Sequence, residues 1–361
     1  MTFPLYQYRE QSKALGHSED FTRDTSSYAE HLSAQDLPVI FSSKHLALLL
    51  DVNPLYLARF INVRSEEYKV YKLRKKRGGY RWIQSPSAEL KNIQKWIKKF
   101  ILDKIPLHES ANGFIKGKSI YKNALPHSGH DIVLNVDLYH FFDTITEKRT
   151  FGVFKNLGYH GGVSRILAEL CCAIPPKIYW KEIINDSIFL PSKTHVSQAV
   201  LPQGAPTSPS ISNLVCRKLD LRFFRLATKL GANYTRYADD LTFSGTRSSI
   251  PSLNTVRTIV SDEGFYLNDP KTSYKSKNKK QMVTGLTVNQ GIHVPQIFIR
   301  EVSRNLYFSE KYGPYNHLLH LGIHKAGFKE WILGKIFFVY SIDKKKGKKM
   351  FEQFAEIEWG I

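Results

Sequence analysis

Cysteine is scarce: Cys171, Cys172 and Cys216 are the only three in 361 residues. Two of them are neighbours in the chain, which rarely pair with each other, and no Cys-x-x-Cys spacing occurs. Neither a disulfide framework nor a structural zinc site is supported, and a reduced, intracellular chain is the expectation. No run of about 18 apolar residues exists, so no membrane span is expected. Residues 1–13 lack a basic stretch followed by an apolar one, so they do not read as a signal peptide. Internal repeats are absent, and the single low-complexity run, residues 344–349, reads as a solvated loop. Negative charge is in short supply: 32 acidic against 52 basic side chains leave a net charge of +20. That excess points to a polyanion partner, most readily a nucleic acid.

What is present is globular. Hydrophobic residues make up 42% and aromatics 13%, and the length allows two or three packed subdomains. Residues 1–35 are polar and read as a short helical or loose extension. Residues 40–60 have helical apolar spacing, interrupted near Asn53-Pro54. Alternation from Tyr68 to Leu73 predicts a strand, a basic turn with Gly78-Gly79 follows, and Trp82-Ile83 opens the returning strand. Residues 90–105 predict a helix, as do residues 154–174 and 210–230. Asp131-Ile-Val-Leu-Asn-Val-Asp137 reads as a buried strand ending in an acid, and residues 234–244 as strand, turn and strand. From Glu301 onward the chain reads as helical and basic.

The chemistry is carried by acids at strand ends. Asp239 and Asp240 sit between strand-like segments, where a tight hairpin would present both at its tip. Burying two adjacent carboxylates unpaired is costly, and a divalent cation would offset their repulsion. Asp137 ends another buried strand, far enough away in sequence for the two strands to meet in one sheet. Three such carboxylates can hold two magnesium ions about 3.5–4 Å apart. Magnesium prefers a few carboxylates completed by phosphate and water, which suits this set.

Five segments in family order resemble reverse transcriptases. Tyr237-Ala-Asp-Asp240 is similar to their YxDD box, and Asp137-Leu-Tyr-His-Phe-Phe142 to their first catalytic box. Leu201-Pro-Gln-Gly-Ala-Pro is similar to their PQG box. The stretch from Tyr71 to Arg81 resembles the fingers motif that grips the triphosphate, and the stretch from Glu263 to Thr272 the box whose Lys lies near the nucleotide. Asn123-Ala-Leu-Pro-His127 and Val283-Thr284-Gly285 resemble two further elements of the retron branch. Neither the maturase sequence of a group II intron enzyme nor an RNase H domain is expected after the last of these segments.

The resemblance implies an α+β right-hand polymerase: an extension (residues 1–40), interleaved fingers and palm with a small antiparallel sheet (41–275), and a helical, RNA-recognising thumb (276–361). It implies Asp137, Asp239 and Asp240 as catalytic residues and Asp137, Leu138, Asp239 and Asp240 as ligands of two Mg2+ ions. One ion would activate the primer hydroxyl; the other would hold the triphosphate. Nucleotide contacts would come from Lys75 (or Lys76, if the turn is shifted), Arg81, Phe142, Gln203, Gly204 and Lys271. Phe142, five residues after Asp137, stands where the family's sugar-discriminating aromatic lies, and core packing is its alternative. RNA contacts would come from Asn123, His127, Val283, Thr284 and Gly285, with a structural role as the alternative for His127. Expected partners are dNTPs, a cognate noncoding RNA with its DNA product, and an effector protein in antiphage defence, but no membrane. Another bacterial lineage, or a silent RNA-binding scaffold, is the rival reading. The segment from Gly113 to Ser119 is not a P-loop, because three residues separate its glycines where four are required.

Overall fold

The structure, a computed structural model, describes residues 3–75, 79–186, 198–322 and 326–359. The chain divides into two compact units. One gathers Met1–Phe114, Leu138–Arg222 and Asn254–Leu267; the other gathers Ile115–Asp137, Phe223–Leu253 and Asn268–Ile361.

The first unit is mainly helical. Its N-terminal residues form two helices, Leu5–Ala14 and Glu19–Ala34, joined by a buried Ser12–Thr22 hydrogen bond. The interruption expected at Asn53-Pro54 is a helix start: the Asn53 side chain accepts from the Leu55 amide, and Pro54 takes a first-turn position where no amide is needed. An antiparallel hairpin follows, β1 (Tyr68–Arg74) and β2 (Tyr80–Pro86), with Leu73 opposite Arg81. Three predicted helices are shorter or divided. The one expected over 90–105 ends at Phe100 and gives way to a 3-10 turn at Leu102–Lys104. Residues 154–174 hold the end of Glu147–Asn156 and all of Gly161–Cys171, separated at Gly158, whose φ of 99° no continuous helix allows. Residues 210–230 belong to Ser208–Val215 and Arg217–Leu230, which meet at Cys216.

The second unit contains a four-stranded antiparallel sheet in the order β4-β5-β3-β6, built from β3 (Ile132–Asp137), β4 (Asn233–Tyr237), β5 (Asp240–Gly245) and β6 (Ser273–Ser276). β3 lies between β5 and β6, and its run of Ile132, Val133, Leu134 and Val136 is buried. Two-residue strands β7 (Met282–Val283) and β8 (Leu286–Thr287) precede four helices, Gln296–Tyr312, Pro314–His320, Phe328–Ile342 and Lys344–Glu356. Val302, Leu306, Ile332, Ile336 and Val339 are among their core residues.

Two expectations fail here. The lysine run at 344–349 is helical, not a loop. Asp343 caps it by accepting from the Lys346 amide, and Gly347 allows an approach to the Tyr340 backbone that a Cβ would block. The helical spacing of Trp331, Ile332, Ile336, Phe337 and Tyr340 predicts core residues, but Phe337 and Tyr340 stay open to solvent with their edges toward Phe351. Among the described residues, no helix is long and apolar enough to cross a membrane, and the three cysteines are buried.

Candidate active site

The three acids meet in the second unit. β3 and β5 run antiparallel with Asp137 directly opposite Asp240, which sets their Cα atoms about 4.5–5.5 Å apart. β4 and β5 close a hairpin at Tyr237 and Asp240, leaving Ala238 and Asp239 as its tip. Ala238 holds a φ of 58°, and the buried Arg236 donates from Nη1 to its carbonyl at 3.1 Å, so the strained tip is held from below.

The electrostatics are those of crowded anions. Asp240 is open to solvent on one side, yet the protein around it pushes its carboxyl up to about 7; Asp239 and then Asp137 push the same way, and Lys271 opposes them. Because water reaches Asp240, the like-charge crowding is the sturdier of these causes. Asp137 is buried and fully engaged. Lys271 reaches both its carboxylate oxygens, at 2.9 and 3.0 Å, and Asn268 donates from Nδ2 to Oδ1 at 2.7 Å and from its amide to the Asp137 carbonyl at 2.8 Å. Among the described residues, no group of three or more His, Cys, Asp or Glu is gathered as a ready-made metal cage. The donor set nevertheless fits magnesium, which takes one or two carboxylates and completes its shell with water and phosphate. The ammonium on Asp137 marks where positive charge is wanted. Leu138 is buried and pairs with Leu267, so only its main chain could serve a metal.

The remaining nucleotide candidates lie in the first unit. Arg81 is exposed on β2 opposite Leu73, and the Lys75 amide bonds the Gly79 carbonyl, so Lys75 and Arg81 share a face of the hairpin. Lys76 and Gly78 lie outside the described residues. Phe142 is half-buried, edge-on to the buried Phe141 at 5.3 Å. Gln203 and Gly204 are held against β2: the Gln84 amide donates to the Gln203 carbonyl at 2.8 Å, and a Cβ on Gly204 would sit 2.7 Å from the Gln84 carbonyl oxygen.

Of the expected RNA contacts, three lie in the interior, and for His127 the structural alternative is the one its surroundings favour. Asn123, His127 and Val283 are buried. His127 bridges the sheet, Nδ1 to Ser244 Oγ at 2.7 Å and Nε2 to Thr235 Oγ1 at 2.8 Å. Val283 belongs to the core of the C-terminal helices. Thr284 and Gly285 form the β7–β8 turn with φ of 46° and 83°, and the Thr284 hydroxyl donates to the Ile120 carbonyl at 3.2 Å. His127, Val283 and Thr284 thus tie parts of the second unit together, while Thr284 is half-buried and Gly285 exposed. Burial, with a smaller push from His130, drives the His127 pKa down to about 3. A histidine depressed in the fold loses stability as pH falls below its unfolded value, about 6.5. Between pH 7 and 5, His127 is expected to cost the wild type about 2 kcal/mol, a loss absent from His127→Gln. Urea unfolding at both pH values measures it; equal pH dependence in the two proteins would refute the assignment.

Sequence reading missed Asn268 as a support for Asp137, although it lies inside the segment recognised for Lys271. It also missed Arg236, whose position before the tip carries no distinctive pattern.

Two acids at a hairpin tip beside a third on the neighbouring strand form a set that divalent cations could bridge, as metal-dependent phosphoryl chemistry requires. The family described as "Reverse transcriptase (RNA-dependent DNA polymerase)" matches residues 73–288. Retron Mx162 reverse transcriptase of Myxococcus xanthus is 33% identical, over 91% of this chain and 70% of that one. Retron Ec86 reverse transcriptase of Escherichia coli is 30% identical, over 89% and 91%. The chain belongs to the retron reverse transcriptases, and it is an RNA-directed DNA polymerase. Enzymes of the reverse transcriptase family work with divalent metal ions.

Proposed function

We propose that Asp137, Asp239 and Asp240 are the catalytic residues, and that with the Leu138 main chain they hold two Mg2+ ions. The supporting observation is the pairing of Asp137 opposite Asp240 with Asp239 at the adjacent tip. Two bound magnesium ions would favour attack of a primer hydroxyl on the α-phosphorus of a dNTP and departure of pyrophosphate. The protein's own part is placement. Asn268 fixes the Asp137 carboxylate, and Lys271 neutralises it until its ammonium turns to substrate phosphate. Lys75 and Arg81 meet the triphosphate, Arg81 through its two-pronged guanidinium. Gln203 and Gly204 lie beside the incoming base and template.

The template in this reading is a cognate structured noncoding RNA, copied in part into single-stranded DNA from an internal RNA 2′-OH. An effector protein joins the complex in antiphage defence, in the cytoplasm. Residues 276–361 serve as the thumb that reads the RNA. Since Asn123, His127 and Val283 are interior, recognition falls to the exposed Tyr307, Tyr312 and Tyr315 and to the lysines, with Lys311 lying over the rings of Tyr307 and Tyr312. Sequencing nucleic acid that copurifies with the protein tests this. A single structured RNA joined to short DNA is the expected result, and random cellular RNA alone would refute it.

Phe142 lies under the ribose in this reading, where a 2′-OH would clash. Phe142→Ala should lower the ratio of kcat/KM for dGTP to that for GTP by roughly tenfold or more. An unchanged ratio would leave Phe142 a packing residue.

A further inference from the structure

The segment that carries Phe142 is held by groups with no part in the chemistry above. His140, two residues before Phe142, has a φ of 46°, a conformation that persists in a non-glycine residue only where the surroundings enforce it. Asp143, the residue after Phe142, is buried. One of its carboxylate oxygens takes His140 Nδ1 at 3.0 Å, and the other accepts the hydroxyl of Tyr179. The carboxylate therefore grips the chain on both sides of Phe141 and Phe142. Main-chain bonds from Thr144 to the His140 carbonyl and from Ile145 to the Phe142 carbonyl complete the turn.

Tyr179 belongs to the helix Lys177–Asp186 and is itself buried, its ring 5.6 Å from Trp82 of β2 and 5.4 Å from Trp180. Burial, and then the neighbouring Asp143, hold its hydroxyl well above the usual tyrosine range, so it remains a donor. The same helix is tied to the hairpin by Lys72, which bonds Glu182 at 2.6 Å while lying 4.6 Å over the Trp82 ring. One short helix thus anchors both the hairpin bearing Lys75 and Arg81 and the turn bearing Phe142.

We propose that Tyr179 is a positioning residue for sugar selection, holding the Phe142 ring in place through Asp143. This rests on the reading of Phe142 as the ring beneath the ribose. Without the hydroxyl, a buried carboxylate loses one of its two partners among the described residues. The turn can then relax from its enforced geometry, and the ring retreats enough to admit a 2′-OH.

The test uses the full chain on an RNA template with a paired primer, measuring kcat/KM for dGTP and GTP in wild type, Tyr179→Phe, Phe142→Ala and the double variant. Tyr179→Phe should lower the dGTP-to-GTP ratio about tenfold, chiefly by raising the GTP value, since small misplacements of a positioned group carry effects of at least this size. In the Phe142→Ala background it should add nothing to the ratio, because the two act as one unit. A parallel fall for both nucleotides would be a merely structural effect and would overturn the proposal, as would a full additional drop in the double variant. If Phe142→Ala changes the ratio and Tyr179→Phe does not, only the positioning role fails. If Phe142→Ala leaves the ratio unchanged, the reading of Phe142 fails and takes the proposal with it. Should Tyr179→Phe fold poorly, Asp143→Asn and Asp143→Ala give the same information. Asn keeps an acceptor for the tyrosine and should hold the ratio within about twofold, while Ala should lower it about tenfold. A wild-type ratio in Asp143→Ala overturns the proposal.

Discussion

Asp239→Asn is expected to lower DNA synthesis on a primed RNA template by at least about a thousandfold while raising the thermal stability of the metal-free protein. A ligating carboxylate contributes several kcal/mol of transition-state charge stabilisation, and each ~1.4 kcal/mol is tenfold in rate. The second effect has the opposite sign because the same charges repel in the metal-free fold. Asp240 is pushed up to about 7, in part by Asp239. An acid whose pKa is raised by folding destabilises the fold when ionised. Its cost is therefore largest above pH 7 and vanishes below the unfolded value, near 4. Removing the Asp239 charge relieves part of that cost. The variant should melt a few degrees higher than wild type at pH 8, after allowance for solvent screening at the accessible Asp240, and no higher at pH 4. RNA affinity should stay within about twofold, because few phosphate contacts involve an acid. Melting curves in chelator at both pH values and single-turnover primer extension read the two effects together. Synthesis near the wild-type rate would remove Asp239 from the catalytic set, and a lower melting temperature at pH 8 would contradict the crowding.

The acidic centre was legible in the sequence because strand patterning is local. Alternating or continuous apolar residues locate β3, β4 and β5, and the acids at the end of β3, in the β4–β5 turn and at the start of β5 fix where the three meet once the strands pair. What was not legible depends on who lies across from whom. Lys271 reads as a phosphate ligand, and nothing in its own segment shows that it reaches Asp137. His127 and Asn123 look like polar residues available to a ligand, but both are buried, His127 between Thr235 and Ser244 of the sheet. The C-terminal helices show the same limit. A 3.6-residue period sets Ile332, Ile336 and Val339 along one stripe and puts Phe337 about 100° around the helix from Ile336, at the margin of that stripe, where only tertiary packing decides what is enclosed. The helix Lys177–Asp186 carries no motif at all, and its hold on Asp143 emerges only from the fold.

Gly204→Ala is expected to cost roughly a hundredfold in kcat/KM for dNTPs and to lower stability by about 2–4 kcal/mol. A glycine permits close approach, and the structure identifies the neighbour at Gly204 as protein backbone. A Cβ at position 204 would lie 2.7 Å from the Gln84 carbonyl oxygen, 3.2 Å from its carbonyl carbon and 3.3 Å from Ile83 Cγ2. Two of those three atoms are main chain of β2, so no side-chain rotation clears the space. The residue also holds a φ of 137°, which L side chains rarely adopt. Backbone strain of this kind costs about 1–3 kcal/mol, and forced overpacking a similar amount. The relief available is for the Gln203-Gly204 turn to leave β2. That breaks the bond from the Gln84 amide to the Gln203 carbonyl and moves the Gln203 side chain from the place proposed for it beside the incoming base. Displacement of a positioning group by about 1 Å is worth about a hundredfold, and it should raise KM as well as lower kcat. Urea unfolding gives the stability loss, and single-nucleotide incorporation gives the kinetic one. Near-normal kinetics in a destabilised variant would confine Gly204 to packing. Full stability together with full activity would mean that the turn does not lie against β2 as described.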